Sequence, residues 1–334
     1  MRGRWIRVAG IVALAIVLIL LPRVFTSGYM INAMLDAVRW TIFALAFDLV
    51  AGHVGAVSLG QPVFYGLGAY VTALVGLRLN FGFLGSMLLA AVAMAALALV
   101  TGVAFFRIRG VTFAIGTLGA AIMAQLIVNN AVNITGGAMC TTRVPRPELA
   151  IPFSDIAYRI ATPTEYYYLL LPFLAFTVLV YWLIIHSRIG RALTAVREDE
   201  LRASAVGIFP LRYKLFAFAI SAALIGALGG FQVQYVTVVC PSEMALDLTI
   251  TLLIMVFVGG AGRLRGVIFG AVLFSALPRL LESGGARAIP PSYQQIAYGV
   301  ILVSVMLFMP DGLDGLMTRL LAKARRRKLS ETRP

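Results

Sequence analysis

Apolar runs separated by short polar or charged stretches recur along the chain from residue 9 to residue 310. Ten segments stand out, at 9–25, 29–51, 62–79, 81–106, 110–132, 164–186, 214–236, 247–260, 264–282 and 293–310. A bilayer core about 30 Å thick is crossed by roughly 20 apolar helical residues. Most of these segments therefore predict transmembrane helices. The expected fold class is an all-α polytopic membrane protein with about ten spanning helices, and eight at the least. The first run lacks a small-residue cleavage site and runs straight into Pro22-Arg23, so it is read as a membrane anchor rather than a signal peptide.

Composition agrees with that pattern. The 334 residues are 60% hydrophobic and only 13% charged. The formal net charge of +14 would point to nucleic acid in a soluble chain. Here the basic residues gather between apolar runs, as in cytoplasmic loops of membrane proteins. With the N-terminus inside, twenty of the 28 Lys and Arg residues fall on the inner side. They lie near both termini, at Arg107 and Arg109, between Arg188 and Lys214, and at Arg263 and Arg265. The expected topology is N-in and C-in. The tail at 311–334 is basic and reads as an amphipathic element on anionic lipid headgroups. Two cysteines and two histidines supply neither a disulfide framework nor a metal site with ligand spacing.

Two apolar segments are interrupted. "GHVGAVSLGQPVFYGLGAY" (52–70) places five glycines and Pro62 where a helix should start. "VGGAGRLRGVIFGA" (258–271) does something similar in the second half. Backbone groups freed by glycine and proline cannot stay unpaired in lipid, so such segments either line a wet pathway or pack closely inside protein. On the first alternative Ser58, Gly60, Gln61, Phe64, Gly68 and Tyr70 face the pathway, and Asp48 completes its electrostatics. An acid in a span costs about 2.5–3.5 kcal/mol on insertion scales. Asp48 is therefore a candidate functional residue, unless it is hydrated near the inner end or accepts backbone N–H bonds at the broken turn. Gly226/Gly230 and Gly266/Gly270 fit the small-residue spacing of close helix packing.

Residues 187–213 lie inside and are too polar to span. Gly190 and Gly207 punctuate the stretch, and Pro210 stops whatever helix precedes it. Glu198, Asp199 and Glu200 occupy a first helical turn, where the helix dipole favours negative charge. Leu201 and Ala205 share a face, and Ala203 to Ala205 are small enough for another surface to approach. This is either a docking helix or a solvated loop helix.

The same residues carry a resemblance. "GRALTAVREDELRASAVGIFPLRYKLFAFAISAALIGALGG" (190–230) resembles the coupling-loop region of permease subunits in branched-chain-amino-acid-type ABC importers. "LAFDLVAGHVGAVSLGQPVFYGLGAYVTAL", "RIRGVTFAIGTLGAAIM", "NITGG", "VGGAGRLRGVIFGAVL" and "FMPDGLDGL" follow the pattern of the longer of the two permease paralogues, in its order. The likeness spans nearly the whole chain. It implies one permease domain over 1–334, an inverted-repeat fold with broken helices along the pathway, and a place in the bacterial inner membrane. It also implies a heterodimer with a second permease, two ATPase subunits and a periplasmic substrate-binding protein. The coupling element is then 190–207, seated on an ATPase through Gly190, Arg191, Ala195, Arg197, Glu198, Asp199, Leu201, Ala203, Ala205 and Gly207. No cofactor is expected on this chain. ATP and Mg belong to the partners, since no G-x-x-x-x-G-K-[ST] loop is present. No Ser-His-Asp or Cys-His arrangement points to an enzyme.

Some positions depart from the family pattern. Asp48 stands where an amide-bearing residue is common, which suits a zwitterion, an amide or a cation as cargo. Cys140 and Cys240 both fall in external connections, where an oxidising periplasm permits a disulfide, although two unpaired thiols are the favoured expectation. The cargo is expected to be a small amino-acid-like solute, with branched-chain or other hydrophobic amino acids foremost. Urea or short amides, and aromatic or other carboxylates, are the alternatives within the class. A stand-alone ion-coupled secondary transporter is the alternative outside it, and would call for several intramembrane acids.

Overall fold

In the computed structural model, which describes residues 18–23, 27–79, 82–108, 110–150, 157–160, 162–283, 300 and 315, long apolar helices form one bundle with short connections. From residue 28 onward the main helices are α1 (Gly28–Asp48), α2 (Gln61–Leu79), α3 (Phe83–Phe105), α4 (Val111–Asn130), α5 (Pro163–His186), α6 (Arg188–Glu198), α7 (Glu200–Ala205), α8 (Pro210–Val236), α9 (Leu246–Gly259) and α10 (Leu264–Ser283). Each expected segment from 29–51 to 264–282 corresponds to one of these helices, with ends shifted by a few residues. Most of 9–25, nearly all of 293–310 and nearly all of the basic tail lie outside the described residues. Among the described residues, α3, α4, α5 and α8 are long and apolar enough to cross a membrane, and α9 and the first part of α10 are shorter apolar helices.

Equally apolar helices occupy very different places. About 22% of the apolar window of α3, α4 and α5 is buried, against 72% for α8, which therefore forms the centre of the bundle. Its sequence explains this. Without a hydrophobic drive between helices in lipid, close approach depends on small residues, and α8 carries Ser221, Ala222, Gly226, Gly229 and Gly230. A Cβ on Gly229 would lie 2.0 Å from the Tyr65 carbonyl oxygen of α2, and one on Gly68 would lie 2.3 Å from that of Gly226. On α3 the inward stripe Ala90, Met94, Ala98 and Gly102 recurs every fourth residue, as one helix face requires. The outward face presents Leu84, Leu88, Val92 and Val100.

Helix ends are set locally. Thr162 caps α5 in a capping box: its hydroxyl accepts from Glu165 N–H at 3.3 Å, while Glu165 accepts from Thr162 N–H at 3.1 Å. At the far end of α5, the Ser187 hydroxyl oxygen accepts from the N–H groups of Ile189 and Gly190, which starts α6 at once. The opposite end of the bundle carries the strand pairs. β1 (Thr141–Thr142) pairs antiparallel with β4 (Val238–Val239), and β2 (Glu148–Ala150) with β3 (Ala157–Arg159). The β1–β4 pair sets Cys140 against Cys240, and a disulfide, in place of the two unpaired thiols expected, joins them across 100 residues of sequence. A 3₁₀ turn, Pro241–Met244, follows Cys240 directly.

Candidate coupling and pathway sites

α6 and α7 meet at Asp199, whose carboxylate accepts from Leu201 N–H at 2.9 Å and Arg202 N–H at 3.1 Å. These backbone bonds, that of Arg202 foremost, hold the Asp199 carboxyl below the usual carboxylate range. The loop then presents two different faces. Gly190, Ala192, Leu193 and Val196 of α6 are buried against the chain's own bundle. A Cβ on Gly190 would meet the Ile185 carbonyl oxygen at 2.3 Å. Ala203 also points inward and is 3% exposed. What faces outward is Leu201, Ala205, Val206 and Phe209, with Leu201 and Val206 about three-quarters exposed. Arg191, Glu198 and Gly207 are exposed and Ala195 is half-buried. Gly207 closes α7 with φ +84°, and Ile208 N–H returns to the Ala203 carbonyl at 3.1 Å. Lys214 of α8 pairs with Glu200, which anchors the start of α7 to the bundle.

The inner face of the loop touches both interrupted segments. Arg197 donates from Nη1 to the Gly52 carbonyl oxygen. Gly52 lies in the π-helical turn Leu49–Val54 that ends α1. Asp48, just before that turn, is fully buried. Its Oδ1 accepts from Gly262 N–H at 2.8 Å, and its Oδ2 accepts from the Tyr181 hydroxyl of α5. The imidazole Nε2 of His53 lies 3.0 Å from the Tyr181 oxygen and 3.8 Å from Asp48 Oδ2. One carboxylate thus ties together α1, α5 and the 260–263 connection, next to the guanidinium of Arg197. Of the readings open for Asp48, the geometry corresponds to acceptance of a backbone N–H at the broken turn, with the donor coming from the second glycine-rich segment. The second segment packs closely: a Cβ on Gly259 would lie 2.3 Å from the Gly266 carbonyl oxygen.

Between Gly55, with φ +76°, and Gln61 the chain is not helical. Its backbone polar groups are met by threonines from neighbouring helices. Leu59 N–H donates to the Thr117 hydroxyl of α4 and the Leu59 carbonyl accepts from the Thr249 hydroxyl of α9, each at 3.0 Å. Non-helical backbone inside a bundle survives only with such partners. Ser58, Gly60 and Phe64 line a cavity of about 160 Å³ with Leu97, Thr101 and Ala121. Gly68 instead packs on Gly226, and Tyr70 is buried, its hydroxyl without a hydrogen-bond partner among the described residues. Gln61 is fully buried, and both of its amide atoms lack a partner among the described residues. A second space of about 450 Å³ opens beside the loop, between Val54–Val57, Phe106, Val111 and residues 196–200. Among the described residues no cluster of three His, Cys, Asp or Glu side chains is disposed to hold a metal ion.

Hydropathy reading passed over one group. On α1 the Arg39 Nη2 lies 3.1 Å from Asp36 Oδ1. Arg39 also interacts electrostatically with the Tyr65 hydroxyl of α2 and with Glu243 of the 3₁₀ turn. The signal was present as an Asp and an Arg three residues apart inside a predicted span, a spacing that puts both on one helix face.

A bundle of lipid-length helices with two interrupted segments and a polar loop at one end has the build of a multi-pass membrane protein. Residues 29–306 match the family described as the branched-chain amino acid transport system permease component, and the chain belongs to that family. It is 28% identical over 320 residues to the high-affinity branched-chain amino acid transport system permease protein LivM of Salmonella typhimurium, covering 91% of this chain and 74% of that protein. It is 24% identical to the corresponding permease protein LivH of Escherichia coli, covering 86% of this chain and 94% of that one. The ribose import permease protein RbsC of Escherichia coli is 25% identical, covering 90% and 91%. No solved structure matches the chain. The protein is an ABC importer permease.

Proposed function

We propose that this permease works in a bacterial inner membrane as one of two unlike permeases, N-in and C-in, importing branched-chain or other hydrophobic amino acids. A periplasmic binding protein delivers the solute, a shorter paralogue completes the pathway, and two ATPase subunits supply ATP and Mg. The chain itself performs no covalent chemistry. The likeness to both LivM and LivH, two permease proteins of one kind of transport system, supports the pairing and the cargo.

The observation that carries the reading is the outward face of α7. Leu201 and Ala205 on α7, with Val206 and Phe209 just after it, are exposed on a loop whose other side is anchored by Lys214–Glu200 and by Arg197–Gly52. A rigidly seated apolar patch at the polar end of a membrane bundle suits a groove on an ATPase subunit. Ser58, Gly60 and Phe64 then belong to the pathway through the cavity they line, and Gly68 to helix packing. Co-purification tests this. Leu201→Asp with Val206→Asp should release the ATPase subunits while leaving the permease pair intact, because neither side chain packs in the bundle. Retention of both ATPases, or a complex with two copies of this chain and no second permease, would overturn the assignment.

A further inference from the structure

The Asp36–Arg39–Tyr65–Glu243 group has no part in the coupling site. Arg39 is the twelfth residue of α1. Nine residues separate it from Asp48, about 14 Å at the rise of an α-helix, so it lies near the middle of α1. Asp36 and Arg39 are only partly covered, with side chains 31% and 19% exposed. Charged groups within a span are costly against lipid, so this face of α1 meets water or protein. Glu243 arrives from the turn behind the disulfide, and burial pushes its carboxyl above the usual range against the opposing pull of Arg39. Aromatic surface adjoins the charges. The Arg39 guanidinium lies 5.4 Å from the Trp40 ring centre, and Phe43 stacks between Trp40 and Tyr65 at 6.0 and 5.1 Å. Gln61, with both amide atoms buried and unpartnered among the described residues, lies one helical turn before Tyr65 on α2.

We infer that this group is the permease's recognition site for the backbone of a free α-amino acid, with Arg39 taking the α-carboxylate and Glu243 the α-ammonium. The inference rests on the amino-acid cargo proposed above and adds the residues that read it. A guanidinium carries five N–H donors in a fork that matches a carboxylate, more than Asp36 takes. Glu243 supplies acceptors only, as an ammonium needs. Trp40, half-buried beside the guanidinium, offers flat apolar surface that a hydrophobic side chain can cover. Transported solutes are commonly held near the bilayer midplane, where helices are interrupted.

Binding is measured on the whole complex, with both permeases and both ATPases in nanodiscs and no binding protein. Trp40 fluorescence is the readout, and Trp40→Phe identifies its share of the signal. The probes are L-leucine, 4-methylpentanoate, which lacks the ammonium, and 3-methylbutylamine, which lacks the carboxylate. Leucine should give a saturable change in wild type and both analogues a much weaker one. Arg39→Gln and Glu243→Gln should each weaken leucine binding about 10- to 100-fold. Arg39→Gln should narrow the gap between leucine and the amine, and Glu243→Gln the gap between leucine and the acid. Arg39→Lys should recover part of the loss. Wild-type leucine affinity in both Gln variants, or no saturable response in a wild-type complex that imports leucine, would overturn the site. Failure of the wild-type complex to import leucine from any leucine-loaded binding protein would overturn the cargo reading instead.

Discussion

Asp48 and Arg39 lie nine residues apart on one helix, yet their surroundings differ in kind. Asp48 is sealed in protein, and both carboxylate oxygens are committed to Gly262 and Tyr181. Arg39 is partly open, shares its charge among Asp36, Tyr65 and Glu243, and lies among aromatic rings. A saturated buried network rigidifies and transmits. A partly open group of opposite charges beside apolar surface has donors and acceptors left for a ligand. On the proposals made above, the two positions on α1 do different work: Asp48 at its end holds the chain to the loop proposed to meet an ATPase, and Arg39 near its middle is proposed to meet the solute.

The largest expected effect is at the sealed end. Asp48→Leu strips the Gly262 N–H and the Tyr181 hydroxyl of their acceptor, and each buried orphan costs about 1–3 kcal/mol. The purified complex should show a markedly lower melting temperature by tryptophan fluorescence, and ATP-driven uptake should vanish. Next comes the disulfide, which ties the strand pair to the turn bearing Glu243. Replacing Cys140 and Cys240 together with Ser should cost about 2–4 kcal/mol of stability. It should weaken leucine binding while leaving ATPase attachment intact, as pull-down would register. Thr249→Val removes the donor to the Leu59 carbonyl and should cost about 1 kcal/mol, detectable as a small shift in denaturation midpoint. Smallest in stability is Arg39→Gln. A partly exposed ion pair contributes roughly 0.2–1 kcal/mol, so its melting temperature should stay near wild type while leucine binding falls.

Much of the helix layout was legible because lipid-length apolar runs allow little else. α1 to α5 and α8 to α10 fall where hydropathy placed them, whereas the polar loop holds two helices rather than one: Glu198, expected in a first helical turn, ends α6, Asp199 caps α7 and Glu200 opens it. The outward face of the loop was half legible: Leu201 and Ala205 do share an exposed side, but Ala203 turns inward. Which side of a short amphipathic helix its own bundle covers depends on Lys214 and Arg197, whose partners lie far away in sequence. Asp48 stood out because its neighbours are apolar, whereas its partners are Tyr181 and Gly262, 133 and 214 residues away. No local pattern announces contacts at that range. Arg39 was missed for the opposite reason, since averaging hydropathy over 29–51 dilutes one Asp–Arg pair. The cysteines could be placed on the same side of the membrane, but their proximity depends on the β1–β4 register, which two-residue strands do not advertise.

The division of labour along α1 is tested most directly by measuring leucine binding and binding-protein-stimulated ATP hydrolysis on two variants in parallel. Asp48→Asn keeps the size of the side chain but removes its charge and turns one acceptor into a donor, so the Tyr181 hydroxyl must accept where it now donates or the Gly262 N–H loses its acceptor. It should bind leucine as wild type does and lose stimulated hydrolysis. Arg39→Gln should keep basal hydrolysis and ATPase attachment and lose leucine binding. The same pattern of losses in both variants, or the two patterns exchanged, would contradict the account.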